Sequence, residues 1–334
     1  MSNWIDGRSV LVTGGTGSFG RRLIRTLLDR HRPNRVVIVS RDELKQHEMR
    51  TSGFDDPRLR YFIGDVRDVD RLRRAFDGVD VVIHAAALKQ VPACEYNPFE
   101  AIKTNVIGAQ NVIEAAIDRK VKRVVALSTD KACNPVNLYG ASKLCSDKLF
   151  VAGNHYSGEH GTRFAAVRYG NVVGSRGSVI PLFIQQRKTG RLTLTHPDMT
   201  RFWITLQQGV DFVLSSLESM TGGEIFVPKI PSTKIVDLAR VIGPDCDIVD
   251  VGIRPGEKLH EVMIAEDDSR ATIDLGDHYV ICPSFAWWDM NGGSVRGGNP
   301  VPEGFRYSSD LNDDWLDTTR IAELVKPFLS EAGS

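Results

Sequence analysis

Glycines at positions 14, 17 and 20, in Thr13-Gly14-Gly15-Thr16-Gly17-Ser18-Phe19-Gly20, follow the apolar run Val10-Leu11-Val12 and open a segment with helical spacing. A strand that turns this tightly into a helix needs residues without Cβ, and it aims the first helical N–H groups at an anion. The context of strand before and helix after makes Gly14, Thr16, Gly17, Ser18, Phe19 and Gly20 the expected cradle of a dinucleotide pyrophosphate. The rhythm then repeats. Apolar runs at residues 35–39, 60–63, 79–83, 123–127 and 163–168 alternate with helical patterns such as 20–30, 105–119 and 142–155. Their centres are apolar throughout, as strands covered on both faces require. The expected fold is therefore α/β, a Rossmann-type doubly wound parallel sheet.

Past about residue 171 glycine and proline punctuate often, and helical patterns at 207–219 and 233–241 mix with a short strand at 224–227. Residues 1–170 are expected to form the dinucleotide-binding domain. Residues 171–334 are expected to be mainly a smaller substrate-binding lobe, with strands or helices that return to the first domain. Residues 265–299 read as loops with room for a hairpin. Lys+Arg and Asp+Glu both number 42, so no net field draws in nucleic acid or a membrane surface. With no run of eighteen apolar residues and no leader pattern at Met1-Ser2-Asn3-Trp4, the expectation is a cytoplasmic protein. Five scattered cysteines lack disulfide or metal-ligand spacing, so no metal is expected, and Cys133 and Cys145 read as small apolar fillers.

The end of the second strand bears on the choice of dinucleotide. An acid there would serve the ribose 2'-hydroxyl of NAD, whereas Ser40-Arg41 offers a hydroxyl and a guanidinium suited to the 2'-phosphate of NADP. Asp42 is read as a helix cap or a ribose contact, which leaves NAD as the minor alternative. Asp65-Val66 after the third strand can meet the adenine, and Ala85-Ala86-Ala87 after the fourth is small enough for the cofactor to lie against the backbone. His84 reads as a packed strand-end residue.

The chemistry concentrates between residues 128 and 143. Tyr139 and Lys143 form a Tyr-x-x-x-Lys pair, in which the tyrosine moves a proton while a hydride moves to a nicotinamide. Oxidation alone has no use for Asp130-Lys131 beside that pair; an added carboxyl and amine suit elimination of water from an oxidised sugar.

Gly14/Gly17/Gly20, Val82-Ile83-His84-Ala85-Ala86, Asn105, Ser128-Thr129, Tyr139-x-x-x-Lys143 and Arg168-Tyr169-Gly170-Asn171-Val172 together resemble the extended short-chain dehydrogenase/reductase family. Within it, Ser40 to Lys45, Ser128 to Lys143, Gly174 to Val179, Met199 to Trp203 and Arg254 to Lys258 are similar to the inverting UDP-N-acetylglucosamine 4,6-dehydratases that open pseudaminic acid synthesis. Retaining dehydratases generally carry Asp-Glu in place of Asp130-Lys131. The resemblance implies NADP as a recycled cofactor, with Lys45 and Asn105 added to its binding set, and UDP-N-acetylglucosamine as substrate. It implies a homo-oligomer, dimer or hexamer, paired through helices 105–119 and 142–155. Lys143 would lower the Tyr139 phenol pKa, Tyr139 would take the C4 hydroxyl proton with Thr129 holding the oxygen, Lys131 as neutral amine would take the C5 hydrogen, and Asp130 would protonate the leaving C6 hydroxyl. Lys89, Asn171, Arg176, Ser178, Val179, Ile180, Arg254 and Glu257 would contact the nucleotide sugar. A 4-epimerase needs only Thr129, Tyr139 and Lys143, a 5-epimerase uses the same labile C5 hydrogen, and a cofactor-sensing scaffold needs none of them.

Overall fold

The computed structural model describes residues 4–158, 161–174, 178–284 and 297–331. The first half runs β1 (Ser9–Thr13), α1 (Ser18–Arg30), β2 (Arg35–Ser40), α2 (Glu43–Thr51), β3 (Leu59–Ile63), α3 (Val69–Ala75), β4 (Val81–His84), α4 (Val91–Tyr96), α5 (Pro98–Ile102), a π turn at Lys103–Ile107, α6 (Gly108–Asp118), β5 (Arg123–Leu127), a 3-10 turn at Asp130–Ala132, α7 (Leu138–Tyr156) and β6 (Arg163–Val167). The second half runs β7 (Asn171–Val172), α8 (Val179–Arg187), β8 (Arg191–Leu194), β9 (Thr200–Ile204), α9 (Leu206–Ser219), β10 (Ile225–Pro228), β11 (Ser232–Lys234), α10 (Ile235–Ile242), β12 (Asp247–Asp250), β13 (Val262–Ile264), β14 (Thr272–Asp274), β15 (His278–Ile281), β16 (Asn299–Pro300), β17 (Tyr307–Ser308) and α11 (Thr318–Glu331).

The main sheet has the order β16-β14-β15-β10-β6-β5-β4-β1-β2-β3. From β3 to β10 every neighbouring pair is parallel, and β15, β14 and β16 add an antiparallel edge. Between β1 and β4 the strand order reverses, which opens a crevice at the carboxyl ends of the strands. Burial explains the unbroken apolar strand centres. Val10, Val12, Val36 and Ile38 pack with α1 and α9 on one face, and Leu11, Val37 and Val39 pack with α6 and Phe150 of α7 on the other. The expected fold class is what the chain adopts.

The later half does more than form a lobe. Strand β10 continues the parallel sheet beside β6, with Phe226 opposite Val167, and the β14/β15 hairpin closes its edge. Helix α9 returns to α1, tied by Arg30–Asp211 at 3.1 Å, and opens on a capping box between Thr205 and Gln208. The lobe proper has its own core of Ile180, Phe183, Leu192, Leu194, Trp203, Leu238, Ile242 and Ile321.

Several boundaries differ from expectation for local reasons. Helix α7 begins at Leu138, not 142, because the Asn137 carboxamide accepts the Gly140 N–H at 2.7 Å and caps it, so Tyr139 lies in the first helical turn. Residues 103–107 form a π turn ahead of α6. Helix α10 starts at Ile235 because residues 232–234 pair with β9. Within 265–299 a 3-10 turn and the hairpin are formed; residues 285–296, which include Met290 to Gly293, lie outside the described residues. No helix among the described residues is long and apolar enough to cross a membrane.

Candidate active site

A cleft of about 1280 Å³ runs from the β1–α1 turn, past the ends of β4 and β5, to α8 and the turn 254–258 in the lobe. Its volume exceeds that of a usual small-ligand pocket, as a site for two large ligands requires.

At the sheet end, Gly14 has φ +67, and a Cβ there would lie 2.9 Å from the Ala86 nitrogen, so only glycine lets the first turn press against the loop after β4. The N-cap of α1 is Gly17, whose lack of a side chain leaves the first N–H groups facing the cleft. Thr16, Gly17, Ser18, Phe19, Gly20, Ser40, Arg41, Asp42, Lys45, Val66, Ala85, Ala86 and Ala87 all line it. Asp42 caps α2 by accepting the Lys45 N–H at 3.0 Å and pairs with the Lys45 ammonium at 2.9 Å. Asp65 is not among the lining residues: Arg67 grips it at 2.7 Å, and Arg41 stands 3.8 Å away. Asn105 also sits behind the wall. Its carboxamide is spent on both backbone groups of Leu88, each at 2.8 Å, and on the Ser142 hydroxyl at 2.9 Å, so it straps the loop after β4. His84 is sealed between strands, bonded to Thr13 at 2.8 Å; burial and Lys143 press its pKa down to about 3, which keeps it neutral.

At the centre, β5 delivers Thr129, and the 3-10 turn that follows holds Asp130 and Lys131. The first turn of α7 presses onto that 3-10 turn at Gly140, where a Cβ would run into the Lys131 carbonyl oxygen. This contact sets Tyr139 beside Thr129 and Lys131. One turn on, Lys143 is buried, and Asp147 lies a further turn below, bonded to Ser128 at 2.7 Å and to Arg168 at 3.3 Å. Cys133 is packed with Val262 and Ala265 as a filler, but Cys145 is exposed on α7 and fills nothing in the described chain.

The electrostatics depart from expectation in two respects. Burial pushes the Tyr139 phenol up to about 12, and the cation that most opposes this is Lys131, helped by a hydrogen bond from Thr129. Lys143, expected in that role, is itself held below its ordinary value by burial, with only Asp147 opposing. The second concerns the amine. The Lys131 ammonium donates to Asp130 Oδ1 at 3.0 Å, to Asn171 Oδ1 at 3.4 Å, and pairs with Glu261 Oε1 at 3.1 Å. Burial favours the neutral amine, but the two carboxylates outweigh it and hold Lys131 above its ordinary value. Its resting form is therefore the ammonium, not the free amine that sequence reasoning required. For Asp130, burial dominates and Glu261 adds to it, so its carboxyl is raised despite Lys131.

Toward the lobe, Lys89, Asn171, Ser178, Val179, Ile180, Arg254 and Glu257 line the cleft. Pairing of β7 with β9 places Asn171 opposite Trp203 and turns it toward Lys131. Burial lowers Lys89. Arg254 and Glu257 stand 3.8 Å apart in the turn whose Gly256 carbonyl accepts from Asn137 at 2.7 Å. Arg176 lies outside the described residues. Sequence reasoning missed Glu261 altogether and quoted Arg201 and Lys258 without a role, although all three line the cleft. Arg201 lies 3.7 Å from Glu261, and Lys258 donates to the Cys133 carbonyl at 2.5 Å. An acid 130 residues beyond Lys131 has no local spacing to announce it. It arrives because β13 pairs with β17, while Glu261 and Ser309 bond through backbone and hydroxyl at 2.8 and 2.9 Å.

Comparison with known proteins agrees with this layout. The chain is 55% identical over 325 residues to a UDP-N-acetylglucosamine 4,6-dehydratase (inverting) of Campylobacter jejuni, covering 95% of this chain and 97% of that one. It is 46% identical over 332 residues to a UDP-glucose 4-epimerase of Rickettsia canadensis, covering 96% and 95%. Among solved structures, Pen from Bacillus thuringiensis superposes with a TM-score of 0.89 at 35% identity, covering 98% of this chain and 99% of that one. With residues 10–283 matching the family described as "Polysaccharide biosynthesis protein", and relatives of this closeness along nearly its whole length, the chain belongs to that family.

Proposed function

We propose that the protein is a UDP-N-acetylglucosamine 4,6-dehydratase that inverts C5 of the sugar. The reading rests on its similarity to the Campylobacter enzyme. The observation that carries the chemistry is the Asp130–Lys131 pair, joined at 3.0 Å, in which Lys131 lines the cleft with Tyr139 and Thr129 and Asp130 is buried directly behind it.

A bound nicotinamide dinucleotide supplies the store for the electrons that leave C4 and later return to C6. The chain's own residues do the rest. Tyr139 takes the C4 hydroxyl proton, and Thr129 holds that oxygen in place. The C4 ketone acidifies the C5 hydrogen, which passes to Lys131 in its amine form, while Asp130 gives its proton to the departing C6 hydroxyl. Stereochemical inversion follows when C5 regains a proton on the opposite face. Lys89, Asn171, Ser178, Val179, Ile180, Arg254 and Glu257 hold the nucleotide sugar, together with Arg176.

NADP is the dinucleotide we favour. Arg41 is free enough to meet a 2'-phosphate, with its guanidinium 3.8 Å from Asp65 and half exposed, and Asp42 is already committed to Lys45. Residues 1–170 hold the dinucleotide, and residues 171–334 mainly hold the sugar nucleotide while returning β10, β14 to β16 and α9 to the sheet side. Exposed Tyr96, Phe99, Ile102, Ile107 and Tyr156 on the helical flank support a homo-oligomer. The protein acts in the cytoplasm and feeds a pseudaminic-acid-type sugar pathway.

Incubation with UDP-N-acetylglucosamine in heavy water tests the reading. A 6-deoxy-4-keto product of inverted C5 configuration, with deuterium at C5 and the original C4 hydrogen at C6, is expected. The similarity to a UDP-glucose 4-epimerase makes one rival concrete: retention of the C6 hydroxyl with inversion at C4 would establish that activity instead.

A further inference from the structure

Glu261 is the buried acid that the mechanism above leaves unused. Its side chain is 2% exposed, and the same oxygen, Oε1, receives Lys131 at 3.1 Å and Arg201 at 3.7 Å. Arg201 cannot swing away. Its guanidinium is pinned by the carbonyls of Thr200, Leu259 and Lys258 at 2.7 to 3.1 Å. Asp130, on the other side of Lys131, is as deeply buried, but apart from the ammonium it receives, among the described residues, only the Thr129 hydroxyl at 3.0 Å. Three groups of opposite sign, Lys131, Arg201 and Lys258, therefore face Glu261, whereas Asp130 has Lys131 and, more weakly than Glu261 does, Lys258. Lys143 and Tyr139 complete the titratable groups that α7 brings to this side of the cleft.

We propose that Glu261 is a positioning residue for the acid–base pair: by taking the Lys131 ammonium as its partner, it leaves Asp130 as the protonated member, ready to act as the acid. This rests on the dehydratase reading. When two carboxylates share one cation in a dry site, they do not both stay ionised; the better-compensated one keeps its charge and the other takes the proton. Here the better-compensated one is Glu261. The directions of the ionisation shifts agree: burial, with Glu261 behind it, raises Asp130, while Lys131, Arg201 and Lys258 overcome burial to hold Glu261 below its ordinary value.

The elimination then balances. The Asp130 O–H bond breaks as the C6–O bond breaks, so hydroxide leaves as water. The C5–H electrons form the C5=C6 double bond, and the C5 proton goes to Lys131, whose ammonium has first released one proton to solvent. The active pair carries one proton in all, so the acid limb of turnover against pH follows loss of the first proton from the doubly protonated Asp130–Lys131 pair, and the alkaline limb loss of the second. Glu261 raises both.

The test is the pH profile of kcat for Glu261→Gln and Glu261→Asp, with melting curves to establish folding. In Glu261→Gln the acid limb is expected to move to lower pH by about one unit or more, with KM for UDP-N-acetylglucosamine changed less than about threefold. Glu261→Asp keeps the charge and should return the limb most of the way. A folded Glu261→Gln protein with an unmoved limb overturns the proposal, as does Glu261→Asp behaving like Glu261→Gln. An independent measurement does not depend on those variants folding. Difference infrared spectra of the unsubstituted protein near neutral pH should show a protonated carboxyl band that Asp130→Asn removes, and absence of that band also overturns the proposal. If the unsubstituted protein forms no 6-deoxy-4-keto sugar, it is the dehydratase reading that falls, and the infrared band still decides the charge arrangement.

Discussion

Replacing Lys131 by alanine removes the ammonium that lies 3.0 Å from Asp130 and 3.1 Å from Glu261, two carboxyl groups with almost no solvent contact. At that separation and an effective dielectric near 20, the attraction to the ionised Glu261 is worth roughly 5 kcal/mol before desolvation is subtracted. Stripping one partner from a buried pair costs about 3–5 kcal/mol in net stability. Lys131 is 24% exposed and a stranded carboxylate can protonate, so the low end, about 3 kcal/mol near pH 8, is expected. The sign follows from the shifts. Glu261 is held below its ordinary 4.5, so its contribution is present above that pH and is lost as pH falls through the lowered value. Lys131 is held above its ordinary 10.5, so its contribution is complete below that pH and disappears as pH rises through the raised value. The stability gap between the parent protein and Lys131→Ala should therefore be widest between these limits and close as pH falls through the lowered Glu261 value. Denaturant titrations at several pH values measure it. Turnover should fall by about 10²–10⁴ for loss of a proton-transfer group. Dinucleotide affinity should hold, because the glycine turn lies at the other end of the cleft. Tyr139 also loses the cation that most restrains its phenol, so a single turnover followed by nicotinamide absorbance should show slower oxidation, with C5 deuterium exchange falling further still. Near-normal turnover would assign the base to another group, and an unchanged stability gap across pH would refute the buried charge network.

Three further outcomes follow from the geometry. Arg41→Ala should weaken NADP by roughly 10–100-fold and NAD much less, by fluorescence titration, since only the 2'-phosphate loses a charged donor; equal losses would remove the case for NADP. Gly140→Ala should cost about 3 kcal/mol or more and most of the activity, because a methyl group drives the first turn of α7 off the Lys131 carbonyl and carries Tyr139 with it; a soluble, active variant with parent melting behaviour would contradict this. Asp147→Ala leaves the Arg168 guanidinium with the Met263 carbonyl at 2.8 Å and Asp268 at 3.8 Å, and should lower stability by about 3–5 kcal/mol in a thermal or denaturant scan; loss of less than about 1 kcal/mol would show that Asp268 takes over.

Local sequence was enough for everything that depends on near neighbours. The glycine turn, the apolar strand centres and the amphipathic helices specify a doubly wound sheet because each is set by backbone sterics and side-chain period within a dozen residues. The resemblance drawn from Ser128 to Lys143 likewise pointed to the family. Tyr139, Lys143, Thr129 and Lys131 were legible as one group because β5, the 3-10 turn and α7 are consecutive, so spacing nearly determines proximity. The start of α7 was misread only because a cap at Asn137 outweighs a loop-like composition.

Other features depend on residues that meet only after folding. The resemblance put Asn105 in the cofactor-binding set, yet in the fold its carboxamide is engaged by Leu88 of the loop after β4 and by Ser142 of α7. The strand read at 224–227 gives no local sign of whether it belongs to the lobe or the sheet; pairing with β6 settles that it extends the sheet. Charge shows the division most clearly. Sequence determined that an acid and an amine stand side by side, but their protonation depends on which other charges share their dry surroundings. Only the tertiary structure brings Glu261 and Arg201 there. Coulomb energy follows distance through space, in a dielectric that folding itself creates, and neither quantity is written along the chain.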